Sequence, residues 1–199
     1  MRLICAVLIV LPATGFSTVQ AQADYYARLG LTGSTNLVRD RVIQEIEVRP
    51  SLAPTLVVGA ALPFAPTYRA GLEAALTTSG YHTREQDVDS DLGTLRTVSL
   101  MLGLDGPVAG RIGWRSGVGL IRYWPTESQG IFLRGGSTRF LIGAGVDFRP
   151  RVLTRWDLML SLRYDYHRFT TEELQARRFT GTQGVQRVSA SVGLARAGR

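Results

Sequence analysis

The 199-residue chain has no lysine, a single cysteine and, beyond its first residues, no long hydrophobic run. The missing apolar run excludes a membrane-spanning helix there, because such a helix needs about 18 or more consecutive apolar residues. The lone cysteine, Cys5, excludes an intramolecular disulfide and a cysteine-based metal site. Charge is one-sided, since all 23 basic residues are arginine and the formal net charge is +7. With 45% hydrophobic residues, the chain can bury one core and is not globally disordered.

The N-terminus has the features of a secretory signal peptide. Arg2 supplies a positive start, residues 3–11 form an apolar stretch too short to span a bilayer, and residues 21–23 (AQA) form a small-x-small cleavage pattern. We therefore predict a signal peptide over residues 1–23 and a single domain over residues 24–199. Cys5 would be removed with the signal peptide.

After residue 24 the dominant hydrophobic period is two, which is typical of half-buried β-strands. Eight segments alternate in this way, and their length of about ten residues is what a tilted strand needs to cross a bilayer. The segments are residues 25–31, 56–64, 68–76, 98–104, 112–120, 140–148, 156–166 and 188–194.

The connections between these segments are alternately short and long. Residues 64–67, 105–110 and 149–154 are short and carry Pro or Gly turn signals, whereas residues 32–54, 79–91, 125–137 and 170–184 are long and polar. An even strand number with turns at one end and loops at the other predicts an all-β fold, an eight-stranded antiparallel up-and-down transmembrane β-barrel. Residues 42–48 also alternate, and they either extend the second strand or form an extra hairpin.

Alternation alone does not say whether the apolar face points outward to lipid or inward to a ligand cavity, as in a soluble lipocalin-like barrel. The polar face favours the membrane barrel, because it is rich in glycine, which suits a confined lumen better than a solvated surface. The aromatic residues of apolar parity agree, because they cluster near both strand ends as membrane-interface girdles do. They are Tyr25, Phe64, Tyr68, Trp114, Phe148 and Trp156 near the short turns, and Phe140, Tyr164 and Tyr166 near the long loops.

Two segments carry a resemblance to a known family. Residues 138–148 (TRFLIGAGVDF) and 156–166 (WDLMLSLRYDY) resemble the glycine-rich sixth strand and the seventh strand of eight-stranded outer-membrane barrels of the OmpA/OmpX type. The resemblance covers essentially all of residues 24–199. It implies a porin-like barrel in the outer membrane of a Gram-negative-type cell, inserted by the outer-membrane assembly machinery. Such barrels usually end on an aromatic residue, whereas this chain ends in residues 194–199 (LARAGR).

The polar parity carries many charged side chains that would point into the lumen. Because buried charges are tolerated only when paired, we predict a structural Arg–carboxylate network centred on Arg69, Glu73 and Arg115. A narrow anion-selective path is the alternative, since arginines outnumber acids in this set. Its members are Arg28, Arg69, Glu73, Arg111, Arg115, Arg139, Asp147, Arg155, Asp157, Arg163, Asp165, His167 and Arg187.

An enzyme that acylates or deacylates lipid A is a second function to weigh, because some eight-stranded barrels have that activity. Such deacylases resemble one another in a His-x-Ser arrangement near the rim. His167 is followed by Arg168 and Phe169, and His82 has Arg84 two residues on, so neither histidine has the serine. The sequence therefore predicts no catalytic residues, no enzyme activity and no cofactor.

The predicted loops and outer strand ends carry two further groups of charges. Asp87, Asp89 and Asp91 have the spacing that opens a calcium loop, but the glycine and the glutamate of that motif are missing, so they are expected to form a solvated acidic loop with at most loose cation binding. Arg96 and Arg122 break the apolar parity at outer strand ends, where they are candidates either to contact lipopolysaccharide phosphates or to snorkel to the interface.

These features favour a monomer with a non-enzymatic role in envelope integrity or surface interaction through its outer loops. Its expected partners are outer-membrane lipid, lipopolysaccharide and the assembly machinery. Nucleic acid is not an expected partner, because the arginines are spread around the barrel and the chain is predicted to be exported. The lipid A enzyme and the soluble lipocalin-like barrel remain the alternatives.

Overall fold

The structure, a computed structural model, describes residues 23–40, 46–85, 88–152, 156–177 and 181–196. The signal-peptide prediction falls on residues 1–23, of which all but Ala23 lie outside this range. The strands are β1 (Asp24–Ser34), β2 (Val38–Asp40), β3 (Ile46–Pro50), β4 (Ala53–Pro63), β5 (Arg69–Glu85), β6 (Val88–Ala109), β7 (Ile112–Pro125), β8 (Thr138–Phe148), β9 (Asp157–Phe169) and β10 (Gln183–Arg196). A 3-10 helix spans Gly130–Phe132, and helix α1 spans Glu172–Ala176. Within the described ranges no helix is long and apolar enough to cross a membrane.

Eight of the strands form a closed antiparallel ring. Going around it, β1 pairs with β4, then come β5, β6, β7, β8, β9 and β10, and β10 pairs back with β1. The closing pair runs from Tyr25 opposite Arg196 to Ser34 opposite Arg187. These are the eight alternating segments of the sequence, so the predicted eight-stranded up-and-down barrel is confirmed.

The apolar parity faces outward and the polar parity faces inward. Leu29 and Leu102 are 64% and 66% exposed, whereas Arg28, one residue from Leu29, is 2% exposed. The predicted girdle aromatics all belong to the outward parity. A soluble barrel would have the opposite arrangement, so the lipocalin-like alternative is wrong.

The barrel wall continues beyond the apolar band at the end opposite the short turns, called here the long-loop end. The prediction of a polar loop over residues 79–91 is wrong, because β5 continues to Glu85 and pairs with β6 from Val88. Strand β3 lies next to β5, as β4 does, but pairs with the extended part of β5 beyond the stretch that β4 contacts. Its other edge pairs antiparallel with β2. Of the predicted segment 42–48, residues 46–48 thus belong both to an extension of the second strand and to an extra pair of strands, and residues 42–45 lie outside the described ranges.

The side-chain amide of Gln183 closes the wall where β2 would otherwise be an open edge. The backbone N–H of Arg39 donates to Gln183 Oε1 at 3.0 Å, and Gln183 Nε2 donates to the Arg39 carbonyl at 2.7 Å. One side chain therefore satisfies both backbone groups of an edge residue, as a neighbouring strand would.

The main apolar core lies inside the ring at the long-loop end. Four aromatic side chains, called here the aromatic plug, form its centre: Tyr81, Tyr123, Phe132 and Phe169. Phe132 packs at 5.9 Å from the Tyr81 ring, 5.9 Å from the Phe169 ring and 6.3 Å from the Tyr123 ring. The plug was not predicted, because Tyr81, Tyr123 and Phe169 occupy inward strand positions that are polar nearer the short turns, and Phe132 comes from a loop.

Two short helices cover the plug. The 3-10 helix inserts Ile131 and Phe132; its first residue, Gly130, has a positive φ of 53°, and Gly135 in the turn after the helix has a φ of 96°. Helix α1 inserts Leu174 beside them. On its outer face, the hydrogen bond that Arg177 donates lowers the pKa of the Glu173 carboxyl.

Candidate functional site

The lumen holds a buried charge network with Glu73 at its centre. Glu73 Oε2 accepts from Arg115 at 2.6 Å and from the Tyr26 hydroxyl at 2.9 Å, and it also accepts from Arg28. Glu73 Oε1 accepts from Arg163, whose Nε binds Asp165 at 2.7 Å. Alternation brings these side chains from β1, β5, β7 and β9 into one layer, where a single carboxylate faces three guanidinium groups.

A chain of ion pairs leads from this centre toward the short-turn end. Asp147 Oδ2 lies 3.1 Å from Arg115 and 3.2 Å from Arg149, and Asp147 Oδ1 accepts from the Ser161 hydroxyl at 2.7 Å. Asp105 lies 3.5 Å from Arg149 and 3.1 Å from Arg69. Arg69 finally binds Asp24. Arg69 therefore pairs with Asp24 and Asp105 at the short-turn end of the lumen. The sequence interpretation, which places Arg69 beside Glu73, is wrong on this point.

Among the described residues, the network is balanced in charge. Five arginines (28, 69, 115, 149 and 163) meet five carboxylates (Asp24, Glu73, Asp105, Asp147 and Asp165). Burial makes such balance necessary, since an unpaired buried charge is costly. The cavity among these side chains has a volume of about 20 Å³, which is room for about one water molecule. The lumen is therefore filled at this level.

Sequence reasoning missed four members of the network. Asp24 and Tyr26 share the parity of Arg28, and Asp105 shares that of Met101 and Gly103, so alternation extended to the strand ends would have found these three. Arg149 follows the last residue of β8, outside the strand, and only the fold brings it to Asp105 and Asp147.

Several predicted lumen charges lie outside the network. His167 is 1% exposed, and its Nε2 is hydrogen-bonded to the Tyr123 hydroxyl at 2.5 Å. Arg139 donates to the Thr170 carbonyl. Asp157 lies 4.0 Å from Arg151 at the short-turn end.

The alternation in the sequence places three further arginines, Arg111, Arg155 and Arg187, in the lumen. Arg187 is buried and donates to Thr77 and Thr97. Arg111 is exposed in the β6–β7 turn, so its assignment to the lumen is wrong: the strand has ended there and parity no longer applies. Arg155 lies outside the described ranges.

Glycines make room for the larger inward side chains. A Cβ at Gly59 would lie 2.3 Å from the Tyr26 ring, and one at Gly143 would lie 2.0 Å from Asp165 Oδ1. Small residues at these positions let the Tyr26 phenol and the Arg163–Asp165 pair cross the narrow lumen.

Replacing Gly59 with alanine is expected to lower the free energy of unfolding by about 1–3 kcal/mol, because the new methyl group displaces the Tyr26 ring from Glu73. Urea titration of the folded barrel in detergent measures the change. Gly181→Ala is the matched control, since nothing lies within 4 Å of a Cβ there. Equal stabilities of the two variants would contradict the close packing of Tyr26 on Gly59.

An arginine–tryptophan patch lies on the outer wall at the long-loop end. Arg96, Arg122 and Trp124 are all exposed and follow directly on the outward apolar residues Val98 and Leu120. Arg96 lies opposite Trp124 in the β6–β7 register, and the Arg122 guanidinium is 5.8 Å from the centre of the Trp124 ring. Both predicted rim arginines are thus on the outside, where the apolar band ends.

The acidic segment at the tip of β5 and β6 does not form a compact ligand set in the described residues. Asp87 lies outside the described ranges, while Asp89 and Asp91 are exposed. Asp91 accepts from the Gly93 backbone N–H at 2.8 Å and lies 3.9 Å from His82. Among described residues, no three His, Cys, Asp or Glu side chains are grouped as metal ligands.

Comparison with known proteins finds similarity in structure. No protein-family model and no curated protein matches the chain. AlkL, whose structure was determined by solid-state NMR in DMPC bilayers, matches with a TM-score of 0.56 and 15% identity over 94% of both chains. Ail, the attachment invasion locus protein of Yersinia pestis, in complex with the heparin analogue sucrose octasulfate, matches at 0.53 and 13% over 87% of this chain and 99% of Ail. OprG of Pseudomonas aeruginosa matches at 0.51 and 13% over 88% and 96%.

These similarities establish the fold. The chain has the architecture of the eight-stranded outer-membrane β-barrels of the OmpA/OmpX type, a fold of Gram-negative outer membranes. The resemblance stated from residues 138–148 and 156–166 is therefore confirmed at the level of fold.

Proposed function

We propose that this chain is exported with residues 1–23 as its signal peptide and acts, over residues 24–199, as a monomeric outer-membrane barrel. Its role is non-enzymatic, in envelope integrity or surface interaction. The observation that carries the proposal is the combination of an outward apolar band with a filled lumen. Such a barrel presents only its ends and rims to other molecules, and the assembly machinery of the outer membrane is its expected route of insertion.

The filled lumen supports a role other than solute transport. The charge network occupies the middle of the barrel, and the aromatic plug occupies its long-loop end. A permeating anion would have to displace paired guanidinium groups and then pass buried rings. We expect planar-bilayer recordings to show no conductance steps above leak, in contrast to the anion-path alternative.

The position of His167 supports a non-enzymatic role over lipid A modification. Its Nε2 is bonded to the Tyr123 hydroxyl, and its side chain lies inside the wall rather than on the lipid-facing rim. An acyl ester held at the rim therefore has no path to this imidazole. An assay on purified lipid A is expected to show no product, with or without the His167→Ala substitution.

We assign lipopolysaccharide contact to the patch of Arg96, Arg122 and Trp124. Guanidinium groups bind phosphate in a bidentate manner, and an indole ring beside them suits the boundary between acyl chains and headgroups. The patch lies at the end of the apolar band where, with the short turns in the periplasm, the outer leaflet would be.

An Arg96→Ala/Arg122→Ala double variant is expected to bind lipopolysaccharide about thirtyfold more weakly, from about 1 kcal/mol for each of two basic residues near an anionic surface. Titration of lipopolysaccharide into the barrel in nanodiscs, read by Trp124 fluorescence, measures the affinity. Arg151→Ala, an exposed arginine at the opposite end, is the control. Equal affinities for the double variant and the control would refute the assignment.

Localisation is tested directly in cells. Heat-modifiable migration of the protein in an outer-membrane fraction, together with external protease cleavage in the long loops only, is the expected result. Recovery of the chain in the soluble fraction would overturn the proposal as a whole.

A further inference from the structure

The short-turn end of the barrel contains an open cleft of about 460 Å³, into which the last members of the lumen network reach. The β4–β5 turn forms one side and the β6–β7 turn forms the other. Three prolines in these segments, Pro63, Pro66 and Pro107, restrict the backbone around the cleft. Its volume lies in the range typical of sites for small ligands.

Three arginines line the cleft and give it positive charge. Arg69 and Arg149 line it, and their carboxylate partners there are Asp24 and Asp105. Arg111 lines it as well, is exposed, and makes no ion pair with any residue of the described ranges. Among the described residues, Arg69 and Arg149 are balanced by their carboxylate partners, Asp147 included, so Arg111 adds one positive charge that an anion can meet.

Arg149 lies at the inner side of the cleft, between two carboxylates. Its Nε is buried and has no hydrogen-bond partner among the described residues, although its terminal nitrogen binds Asp105 and Asp147. The Nε atoms of Arg28 and Arg115 in the lumen are buried without a partner as well, so the charge that the cleft offers to a ligand is that of Arg111.

The other wall of the cleft is apolar and belongs to the lipid-facing surface. Tyr68 and Trp114 lie with ring centres 6.3 Å apart, and Ile112 is exposed beside them. Gly106 lies directly beneath both rings, since a Cβ there would be 2.8 Å from Tyr68 and 3.0 Å from Trp114. The cleft therefore joins the aromatic girdle of the membrane interface to the arginines at the barrel mouth.

We propose that this cleft binds the phosphate headgroup of an anionic phospholipid from the leaflet at the short-turn end. The ligand must be amphipathic, because one wall is apolar and the other is cationic. A phospholipid has this form: its phosphate reaches Arg111 and Arg149, while its glycerol and first acyl carbons lie against Tyr68 and Trp114. Basic pockets at a membrane interface recognise anionic lipid headgroups by the same chemistry.

This inference concerns the end of the barrel opposite the lipopolysaccharide patch, and it requires only that the barrel crosses a bilayer. Loss of lipopolysaccharide binding at Arg96 and Arg122 would leave it untouched. Failure of the barrel to fold in nanodiscs, seen as the absence of heat-modifiable migration, would instead count against the proposed function.

The test uses Trp114 as a reporter in full-length protein with Trp124→Phe and Trp156→Phe substitutions. The folded barrel is placed in nanodiscs of phosphatidylcholine that contain a small fraction of brominated lipid, either phosphatidylglycerol or phosphatidylcholine. Brominated phosphatidylglycerol is expected to quench Trp114 at several-fold lower mole fraction. Arg111→Ala is expected to reduce this preference about fivefold, while Arg151→Ala at the same end leaves it unchanged.

Three outcomes would overturn the proposal. One is equal quenching by the two lipids, and another is an equal effect of the two arginine substitutions. The third concerns soluble glycerol phosphate added to the barrel in phosphatidylcholine nanodiscs. If it changes Trp114 fluorescence in a saturable, Arg111-dependent way while the anionic lipid shows no preference, the cleft is a site for a soluble anion and not for a lipid.

Discussion

Replacing Glu73 with glutamine is expected to lower the free energy of unfolding by about 3–5 kcal/mol. Glutamine keeps the size of the side chain but removes the negative charge that Arg28, Arg115 and Arg163 share, and leaves them only their second partners, Asp147 and Asp165. All three guanidinium groups are largely buried, so water does not replace the lost carboxylate. Breaking a buried ion pair is costly for this reason, whereas exposed pairs contribute little.

Equilibrium unfolding in urea, followed by tryptophan fluorescence in detergent micelles, measures this change. Asp157→Asn is the matched control, since it also neutralises a carboxylate but one whose only described partner, Arg151, is exposed, and a change within about 1 kcal/mol is expected. The double variant Glu73→Gln/Arg28→Met removes one charge of each sign and should lose less than the sum of its single variants. Additive losses, or a loss at Glu73 no larger than at Asp157, would show that Glu73 does not hold the network together.

Replacing Phe132 with alanine is expected to cost about 3–5 kcal/mol of stability at the long-loop end. The Phe132 ring is fully buried against Tyr81, Tyr123 and Phe169, and its loss leaves a cavity that the closed barrel wall cannot collapse to fill. Because Gly130, the first residue of the 3-10 helix, and Gly135, in the turn after it, both have positive φ, the segment between them has points at which it can open when its anchor is lost.

Amide hydrogen exchange over residues 130–137, together with urea unfolding, measures both effects. Faster exchange is expected in this segment, while β8 and β9 near the Glu73 layer keep their protection. Leu133→Ala is the control from the same segment, because Leu133 is 52% exposed and its removal should change stability by less than about 0.5 kcal/mol. Unchanged exchange in the Phe132 variant would mean that the plug is held by α1 and the strands rather than by this ring.

The barrel itself was predictable from local pattern. A residue such as Leu29 points outward and Arg28 inward because successive side chains of a strand face opposite sides, and this property depends on the backbone alone. The same rule identified the girdle residues Tyr68 and Trp114. The sequence prediction was wrong for residues 79–91, which form parts of two strands although they are polar. Beyond the apolar band the outer face of a strand meets solvent rather than lipid, so its residues need not alternate between apolar and polar.

The candidate site was only partly predictable. Parity selected Glu73, Arg115 and Arg163 as inward charges, but it gave no information on which of them meet. That depends on the stagger between strands, which places residues far apart in sequence in one layer of the lumen. For the same reason Arg69 lies with Asp24 and Asp105 at the mouth instead of with Glu73.

The sequence by itself determined an arginine-rich barrel without lysine, with an apolar face toward lipid and a glycine-lined polar interior, because the two-residue period and side-chain size are local properties. Only the tertiary structure decided what fills that interior. Ring closure brought five arginines and five carboxylates together between the middle of the barrel and its short-turn end, and four aromatic rings together at its long-loop end. Pairing and packing across a closed lumen depend on strand register and on loops such as that of Phe132, which no periodicity along the chain encodes.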